Sequence, residues 1–334
     1  MSKIDLAPCL IILLMIVFSK DIRKNTSQKC FSLYETSLIK GFAAIVVVFC
    51  HLSLFYSGGF ILPAFYYIGN CAVGLFFFLS GFGLMSQYMF REDYQLGFLK
   101  KRLSKILIPY LFFTLLYYLY FLFINEPKSI SDVIGGIVKG DPIVSYSWYI
   151  LEIIVLYVFF YLFMLFSKKD KTKMIVCNVI LYVILLVFYK AMAYAPYWYQ
   201  STHMYVLGIL WAAHEEWIYG NLKRFSIPVL AIAVICILFT FGKENLYFIQ
   251  EIAYLLLLGV LFVSLRFKNR FLDQIGRISM EIYLIHGLII KFCRYFFSFD
   301  EGLIDILVIL FTIFLTSYLV SFFLKKIIKL VLKQ

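Results

Sequence analysis

The amino-acid sequence predicts an all-α fold, that of a polytopic helical membrane protein with ten core transmembrane helices plus one extra N-terminal helix. Three observations predict it. First, 63% of the 334 residues are hydrophobic and 15% are charged, whereas a soluble domain is roughly half apolar. Second, apolar runs recur along the whole chain, and each is long enough to cross about 30 Å of hydrocarbon as a helix. Third, basic residues are concentrated in every second connection between these runs.

We expect eleven spans separated by short polar clusters. In chain order they are 5–19, 38–57, 64–88, 104–124, 144–166, 174–192, 200–213, 226–242, 248–265, 279–297 and 303–324. The first resembles the apolar region of a signal peptide, but a strong basic leader and a clear cleavage site are missing. We therefore favour a retained anchor helix, with a cleaved signal peptide as the alternative.

The distribution of lysine and arginine predicts the orientation of the spans. These residues are plentiful in the connections 20–40, 91–105, 167–173, 223–224 and 266–277 and in the tail after 324. The alternate connections, at 58–63, 125–143, 193–199, 243–247 and 298–302, contain only Lys128, Lys139 and Lys243. Because cytoplasmic connections are enriched in basic residues, both ends of the ten-helix core are predicted to be cytoplasmic. The longest external connection, 125–143, is rich in Gly, Pro, Ser and Asp and is predicted to be a loop.

The composition argues against two other classes of protein. The net charge is +12, but the basic residues flank apolar runs, so they indicate membrane topology rather than nucleic-acid binding. The seven cysteines form no CxxC pair and no Cys/His cluster, so neither a metal site nor a disulfide framework is indicated.

Lys40 and His51 lie at the two ends of an apolar run and are the first candidates for chemistry. Eleven helical residues make three turns plus about 20°, so both side chains lie on one face, about 16.5 Å apart along the axis. A lysine at the membrane rim is ordinary, because its ammonium can reach the head groups. A histidine deep in a span usually faces a cavity or the bundle interior. His51 is therefore either a functional residue or a partner for a hydrogen bond to another helix.

Two further segments carry polar residues near or within spans. Ser80 and Gly81 lie in the run FFFLSGF, where close helix packing is the alternative to a catalytic role. Arg102 and Lys105 are three residues apart, on one face of a predicted helix. They can bind phosphates at the membrane rim, or they can simply anchor the topology.

Four more side chains are ionisable and lie inside or beside spans. Glu152 lies within a span, where a carboxylate without a partner is unfavourable; it either orients a histidine or grips a substrate, or it pairs structurally with a lysine or tyrosine. His286 lies near mid-bilayer, where an interhelix hydrogen bond is the alternative to catalysis. His203 and His214 are interpreted as interfacial residues.

Three features near the external side have two interpretations each. Lys291 and Arg294 either attract an anionic substrate or extend their charges to the interface. The aromatic residues 197–199 fit an interfacial belt, and they can also stack on sugar rings.

Taken in order, these segments resemble the membrane-bound acyltransferase-3 family, over roughly 37–325. The resemblance rests on the Lys40 to His51 register, on FFFLSGF at 76–82, on RLSKILIP at 102–109, and on WYIL at 148–151. It continues with YVLGILWA at 205–212 and with Ser279, Tyr283, Leu284 and His286. Each motif is weak alone, and the ordered set is specific. The chain would then comprise an N-terminal anchor helix and cytoplasmic linker at 1–36, a transmembrane acyltransferase domain at 37–325, and a basic cytoplasmic tail at 326–334.

The resemblance implies an O-acyltransferase of the plasma membrane, in a bacterium, that moves an acyl group, by default acetyl, from cytoplasmic acyl-CoA. The acceptor is a hydroxyl of a cell-surface polysaccharide or its lipid-linked precursor, and acyl-CoA is a substrate rather than a permanent cofactor. Lys40, Arg102 and Lys105 would hold the donor's phosphates. His51 would act as general base, with Ser80, Glu152 and His286 as further candidate catalytic residues.

Two departures from the family pattern concern lysine. Lys40 and Lys105 stand where many members have arginine, and lysine keeps the charge but lacks the planar bidentate fork. A transporter or flippase for a polysaccharide or lipid-linked precursor is the main alternative function, although we find no convincing internal repeat of the kind that transporters often have. A sensor or assembly subunit without chemistry would leave the ordered polar motifs unexplained.

Overall fold

A computed structural model describes residues 3–25, 29–56, 59–297 and 302–332. The α-helices are α1 (Leu6–Val17), α2 (Leu33–Ser53), α3 (Ile61–Ala64), α4 (Gly69–Phe90), α5 (Phe98–Phe123), α6 (Ile130–Lys139), α7 (Trp148–Ser167), α8 (Lys171–Ala191), α9 (His203–Ala213), α10 (Glu215–Arg224), α11 (Ser226–Thr240), α12 (Tyr247–Ser264), α13 (Arg270–Arg277), α14 (Ser279–Phe296) and α15 (Leu303–Leu332). The two strands are β1 (Ser19–Lys24) and β2 (Leu265–Asn269). Short 3-10 helices lie at Lys3–Asp5, Phe65–Ile68, Pro196–Trp198 and Glu244–Leu246.

The protein is an all-α polytopic membrane protein, as the sequence predicts. Among the described residues, seven helical segments are long and apolar enough to cross a membrane, or eight if α10 and α11, bent by 90°, form one span. The N-terminal helix α1 has 12 residues, and about 20 are needed for a perpendicular crossing. Helices α9 and α14 lie at expected spans but are short or carry several charges. The count of ten core spans plus one stays a prediction.

The chain divides into two compact units, and unit 1 comprises Met1–Phe90 and Tyr199–Arg277. Its helices cross at glycines. A Cβ on Gly81 of α4 would lie 2.1 Å from the Tyr205 carbonyl oxygen of α9, and a Cβ on Gly208 of α9 would lie 2.1 Å from the Phe78 carbonyl oxygen. Each glycine therefore admits the backbone of the other helix, which is how small residues permit close packing within membranes.

A second crossing in unit 1 uses the same device. A Cβ on Gly41 of α2 would lie 2.1 Å from the Leu272 carbonyl oxygen of α13, and a Cβ on Gly276 would lie 2.0 Å from the Ser37 carbonyl oxygen. This crossing holds α13 against the first half of α2.

A two-stranded antiparallel ribbon joins distant parts of unit 1. Strand β1 pairs with β2, with Ser19 opposite Asn269 and Lys24 opposite Leu265. No strand is predicted from the sequence: positions 20–24 and 266–269 lie in expected polar connections, and Ser19 and Leu265 end the expected spans 5–19 and 248–265. Both segments are short and basic rather than alternating in hydrophobicity, so their pairing depends on contacts between segments far apart in the chain.

Unit 2 comprises Arg91–Trp198 and Ile278–Gln334. Helix α5 lies against α7, α14 and α15, and α8 lies against α7. Aromatic side chains fill these contacts, as in the stacked rings of Phe98 and Phe160 at 6.1 Å.

The structure corrects one expectation in unit 2. The connection 125–143 was expected to be a loop, but it contains α6, whose start is capped by a reciprocal capping box between Ser129 and Asp132. Helix α15 continues to Leu332, so the described part of the basic tail is helical. Some expected positions lie outside the described residues. They include position 57 of the second expected span, position 58 of the expected connection 58–63, positions 298–301 of the expected connection 298–302, and positions 333–334 of the tail.

Candidate functional site

Lys40 and His51 share one uninterrupted helix. Helix α2 begins after Ser32, whose side chain accepts from the Tyr34 and Glu35 amides, and it continues through both candidate residues. Both side chains are half-buried. The helical geometry therefore places them on one face, about 16.5 Å apart along the axis, as the spacing predicts.

The end of unit 1 nearest the start of α2 is strongly basic. The ribbon carries Lys20, Arg23 and Lys24 on β1, and Arg266 and Lys268 on β2. Arg266 is held by Glu35 of α2, with Nη1 and Oε2 2.7 Å apart. Lys268 lies 2.7 Å from Asp21, and this contact lowers the Asp21 pKa. We call this end of unit 1, comprising the ribbon, α13 and the first turns of α2, the basic end.

His51 lies at the opposite end of unit 1. Its neighbour Cys50 packs against Gly69, the first residue of α4, so the end of α2 lies beside the start of α4. The first turns of α4 carry Asn70, which donates to Gln200 at 3.4 Å, and Cys71, whose sulfur lies 3.6 Å from Gln250 Oε1. His51 therefore shares this end of the unit with the starts of α9 and α12.

A buried polar cluster at this same end was not predicted. Glu251 of α12 is 1% exposed and His203 of α9 is 4% exposed. His203 Nε2 lies 3.3 Å from Glu251 Oε2, and Ser201 Oγ donates to Glu251 Oε1 at 2.5 Å. His203 is buried against α12, and its expected position at the membrane interface stays a prediction. His214, by contrast, is exposed.

Glycine at position 74 makes room for this cluster. A Cβ on Gly74 of α4 would lie 2.9 Å from the Glu251 carboxyl carbon and 3.1–3.2 Å from its oxygens. Three helices, α4, α9 and α12, therefore meet at one carboxyl group. The sequence signal for it is weak, because Glu251 is a single acidic residue near the start of an apolar run.

The geometry indicates that His203 and Glu251 together hold one dissociable proton. His203 Nδ1 lies 2.9 Å from the Gln200 carbonyl oxygen, which can only accept, so Nδ1 carries a hydrogen. If Nε2 carried no hydrogen and the carboxyl group were ionised, a lone pair of each would face the other across 3.3 Å, which is repulsive. One proton between them, on either partner, converts that repulsion into an attraction and keeps the pair neutral overall.

This proton sharing gives a prediction for substitutions at Glu251. Glutamine can accept from Ser201 and donate to His203, so Glu251→Gln should keep the midpoint of thermal unfolding close to that of the wild type. Glu251→Ala leaves two buried polar groups without partners and should lower the free energy of unfolding by about 1–3 kcal/mol. Thermal unfolding in detergent measures both, with the exposed Glu216→Ala as the control. A Gln variant as unstable as the Ala variant would contradict the shared proton.

Ser80 lies on α4, one residue before the glycine crossing with α9. Its side chain is half-buried, and Gly81 beside it is in backbone contact with Tyr205. The helix-packing interpretation thus holds for Gly81. A role for Ser80 in catalysis remains a prediction.

Arg102 and Lys105 belong to unit 2 and occupy the first turns of α5. Arg102 Nη2 donates to the Tyr94 hydroxyl at 2.6 Å, and its guanidinium lies 5.8 Å from the centre of the same ring. Lys105 is exposed. One cation is therefore oriented by an aromatic neighbour, and the other is accessible at the surface of the unit.

Glu152 and His286 are both fully buried in unit 2. Glu152 of α7 lies within electrostatic range of Tyr189 of α8, and both its catalytic and its structural role stay predictions. His286 Nδ1 lies 3.1 Å from the Ile282 carbonyl oxygen of its own helix, and its ring stacks on Tyr146 at 5.5 Å.

Tyrosines connect the two helices that carry these residues. The Tyr283 hydroxyl of α14 donates to the Tyr146 carbonyl at 2.6 Å, and its ring lies 5.6 Å from that of Tyr149 on α7. The first turns of α7 and of α14 are therefore joined. The joining residues, Tyr149 and Tyr283, lie three positions before Glu152 and His286, respectively.

Comparison with known proteins identifies the family. A family model described as an acyltransferase domain, Acyl_transf_3, matches residues 33–325. The chain belongs to the acyltransferase-3 family. No curated protein and no solved structure matches it.

The acyltransferase-3 match begins at Leu33, the first residue of α2, and ends within α15. It includes the seven predicted site residues as well as His203 and Glu251. The protein is therefore a membrane acyltransferase. Lys40, His51 and Ser80 lie in unit 1, and Arg102, Lys105, Glu152 and His286 lie in unit 2.

Proposed function

We propose that the protein transfers an acyl group, acetyl by default, from acyl-CoA to a hydroxyl of a cell-surface polysaccharide or its lipid-linked precursor. It would act in the plasma membrane of a bacterium, with the core termini in the cytoplasm. The observation that supports this most is the arrangement of Lys40 and His51 on one face of one helix, with the basic end of unit 1 around the start of that helix.

The donor is proposed to bind at the basic end. Acyl-CoA carries several phosphate charges, and moving them into hydrocarbon is prohibitively unfavourable. Lysine and arginine at the membrane rim attract such a head group, and Lys40 is the basic residue of α2 nearest to His51. Lys40 is proposed to contact donor phosphates at the basic end, and Arg102 and Lys105 are proposed as phosphate-binding residues from their sequence motif. The acyl-pantetheine arm would then extend along α2 toward His51.

His51 is proposed to be the general base. A sugar hydroxyl is a poor nucleophile at neutral pH, and a neutral imidazole can accept its proton during attack on the thioester carbonyl. The new ester C–O bond forms as the thioester C–S bond breaks, and His51 returns the proton to the CoA thiolate. The products are the ester and CoA thiol, so protons and charge balance without another reactant. Ser80, Glu152 and His286 are proposed as supporting residues of the reaction.

Proteoliposomes containing the purified protein test this proposal. Radiolabelled acetyl-CoA is supplied on the side where the basic end lies, together with de-O-acylated glycan fragments from the source cells' own envelope. We expect release of CoA thiol that depends on the fragment, and a fragment heavier by one acetyl group in the mass spectrum. Movement of the fragment across the bilayer without CoA release would favour the transporter instead.

A further inference from the structure

One end of unit 2 carries an aromatic surface held in a fixed shape by buried contacts. Trp198 is 4% exposed, and its Nε1 donates to the Gly140 carbonyl at 3.1 Å. Gly140 has a positive φ of 77°, and a Cβ there would lie 2.8 Å from the Tyr194 ring. The residue at position 140 must therefore be small, and the chain is fixed immediately before Asp141.

Tyr197 presents an accessible ring beside this fixed backbone. Its side chain is 42% exposed, and its ring centre lies 5.8 Å from that of Trp148 at an angle of 47°. Trp148 is 9% exposed and is itself 6.3 Å from Trp198. A buried aromatic support therefore holds one exposed tyrosine at this end of unit 2.

One carboxylate lies within electrostatic range of both that tyrosine and a lysine. The exposed Asp141 is within electrostatic range of both the Tyr197 hydroxyl and the Lys291 ammonium. Burial and, secondarily, the Asp141 charge raise the pKa of Tyr197, so its hydroxyl stays a neutral hydrogen-bond donor. Lys291 is also positioned by Phe121, whose ring centre is 5.7 Å from Nζ.

We propose that Tyr197, Asp141 and Lys291, supported by Trp148, form a subsite for a pyranose ring of the glycan acceptor. A sugar offers an apolar C–H face, which fits an exposed aromatic ring, and a rim of hydroxyls, which donate to a carboxylate in strong charge-assisted bonds. The Lys291 ammonium donates to ring or hydroxyl oxygens, or pairs with an acidic sugar. This inference rests on the proposed function, because it assigns the acceptor's binding place.

An interfacial aromatic belt is the simpler explanation of the rings alone. Tyrosine and tryptophan are enriched at membrane surfaces for reasons unrelated to ligands. A belt does not account for an exposed carboxylate within electrostatic range of both the tyrosine and a lysine ammonium, nor for the buried contacts that fix Gly140. Those features are what a hydrogen-bonding subsite needs.

Binding in the absence of acyl-CoA tests the subsite independently of catalysis. The full-length protein in nanodiscs is titrated with de-O-acylated oligosaccharide fragments from the source cells' envelope glycans, and the heat of binding is measured. We expect Tyr197→Ala and Asp141→Asn each to raise the Kd at least about tenfold. Tyr197→Phe should restore most of the affinity, because it keeps the stacking face.

Controls use exposed residues elsewhere in unit 2, Tyr318→Ala and Asp93→Asn, which should leave the Kd within about twofold of the wild-type value. Each variant is first checked for an unchanged midpoint of thermal unfolding. Failure of the wild-type protein to bind any fragment, or unchanged affinity in both Tyr197→Ala and Asp141→Asn, overturns the subsite. Binding that depends on these residues, without acyl transfer by the wild-type protein, supports the subsite and refutes the proposed function.

Discussion

His51→Ala should lower the rate of acyl transfer by about 10²–10⁴-fold, the range that a positioned general base contributes. Alanine removes the imidazole and leaves the rest of α2 helical, since alanine has the highest helix propensity. The attacking hydroxyl would then lose its proton only to water or not at all. The rate of fragment-dependent CoA release, measured at equal protein level in proteoliposomes, gives the size of the loss.

The pH dependence separates a lost base from a damaged fold. A protonated imidazole cannot accept a proton, so wild-type transfer should fall at acidic pH. The residual rate of His51→Ala should lack that acidic limb. His214→Ala is the matched control, because His214 is exposed and lies outside the proposed machinery; it should transfer at the wild-type rate. Unimpaired transfer by His51→Ala would refute the assignment of the base.

The helices of this protein follow closely from local sequence. The expected spans 174–192 and 248–265 agree with α8 (Lys171–Ala191) and α12 (Tyr247–Ser264) to within three residues. An apolar run must satisfy its backbone polar groups internally in lipid, and only a helix does so within one segment. The composition of each run therefore decides its structure without knowledge of its neighbours. The position of His51 relative to Lys40 follows from the same regularity.

The polar contacts between helices could not be predicted from the composition of single runs. His203 and Glu251 are separated by 48 positions, and their contact depends on how α9 and α12 pack in unit 1. The β1–β2 ribbon joins segments about 245 residues apart, and neither segment has the alternation of apolar and polar residues that marks a strand. Helix α6 was missed for a different reason. Its capping box was present in the sequence, and the Gly and Pro content of the connection outweighed it.

The glycine contacts between helices can be predicted from the sequence only in part. A glycine within an apolar run predicts a close helix crossing, yet the sequence does not say which glycine is in contact. Helix α4 contains one glycine that contacts a neighbouring helix and one that does not, two positions apart. Gly81 meets the backbone of α9, whereas a Cβ on Gly83 would have no heavy atom within 4 Å among the described residues outside its own helical turns. The structure therefore assigns opposite consequences to the same substitution.

Gly81→Ala and Gly208→Ala should each lower the free energy of unfolding by about 1–3 kcal/mol, the usual cost of forcing extra volume into a packed core. In both cases the new methyl group would lie 2.1 Å from a carbonyl oxygen of the facing helix, well inside van der Waals contact. A backbone carbonyl cannot rotate away as a flexible side chain can, so α4 and α9 must separate. That separation moves Ser80 on one helix and His203 on the other. Acyl transfer should therefore fall together with the midpoint of thermal unfolding.

Gly83→Ala is the control, and it should shift the midpoint in the other direction. The added methyl group enters open space, and alanine favours a helix by about 1 kcal/mol over glycine. Thermal unfolding of the three variants in detergent, followed by tryptophan fluorescence, compares them directly. Equal midpoints for Gly81→Ala and Gly83→Ala would show that the two helices can separate at little cost, and that the crossing does not hold unit 1 together. A lower midpoint for Gly81→Ala alone would show that the methyl group at position 208 is accommodated against the Phe78 carbonyl of α4, so that only the contact at Gly81 resists separation of the helices.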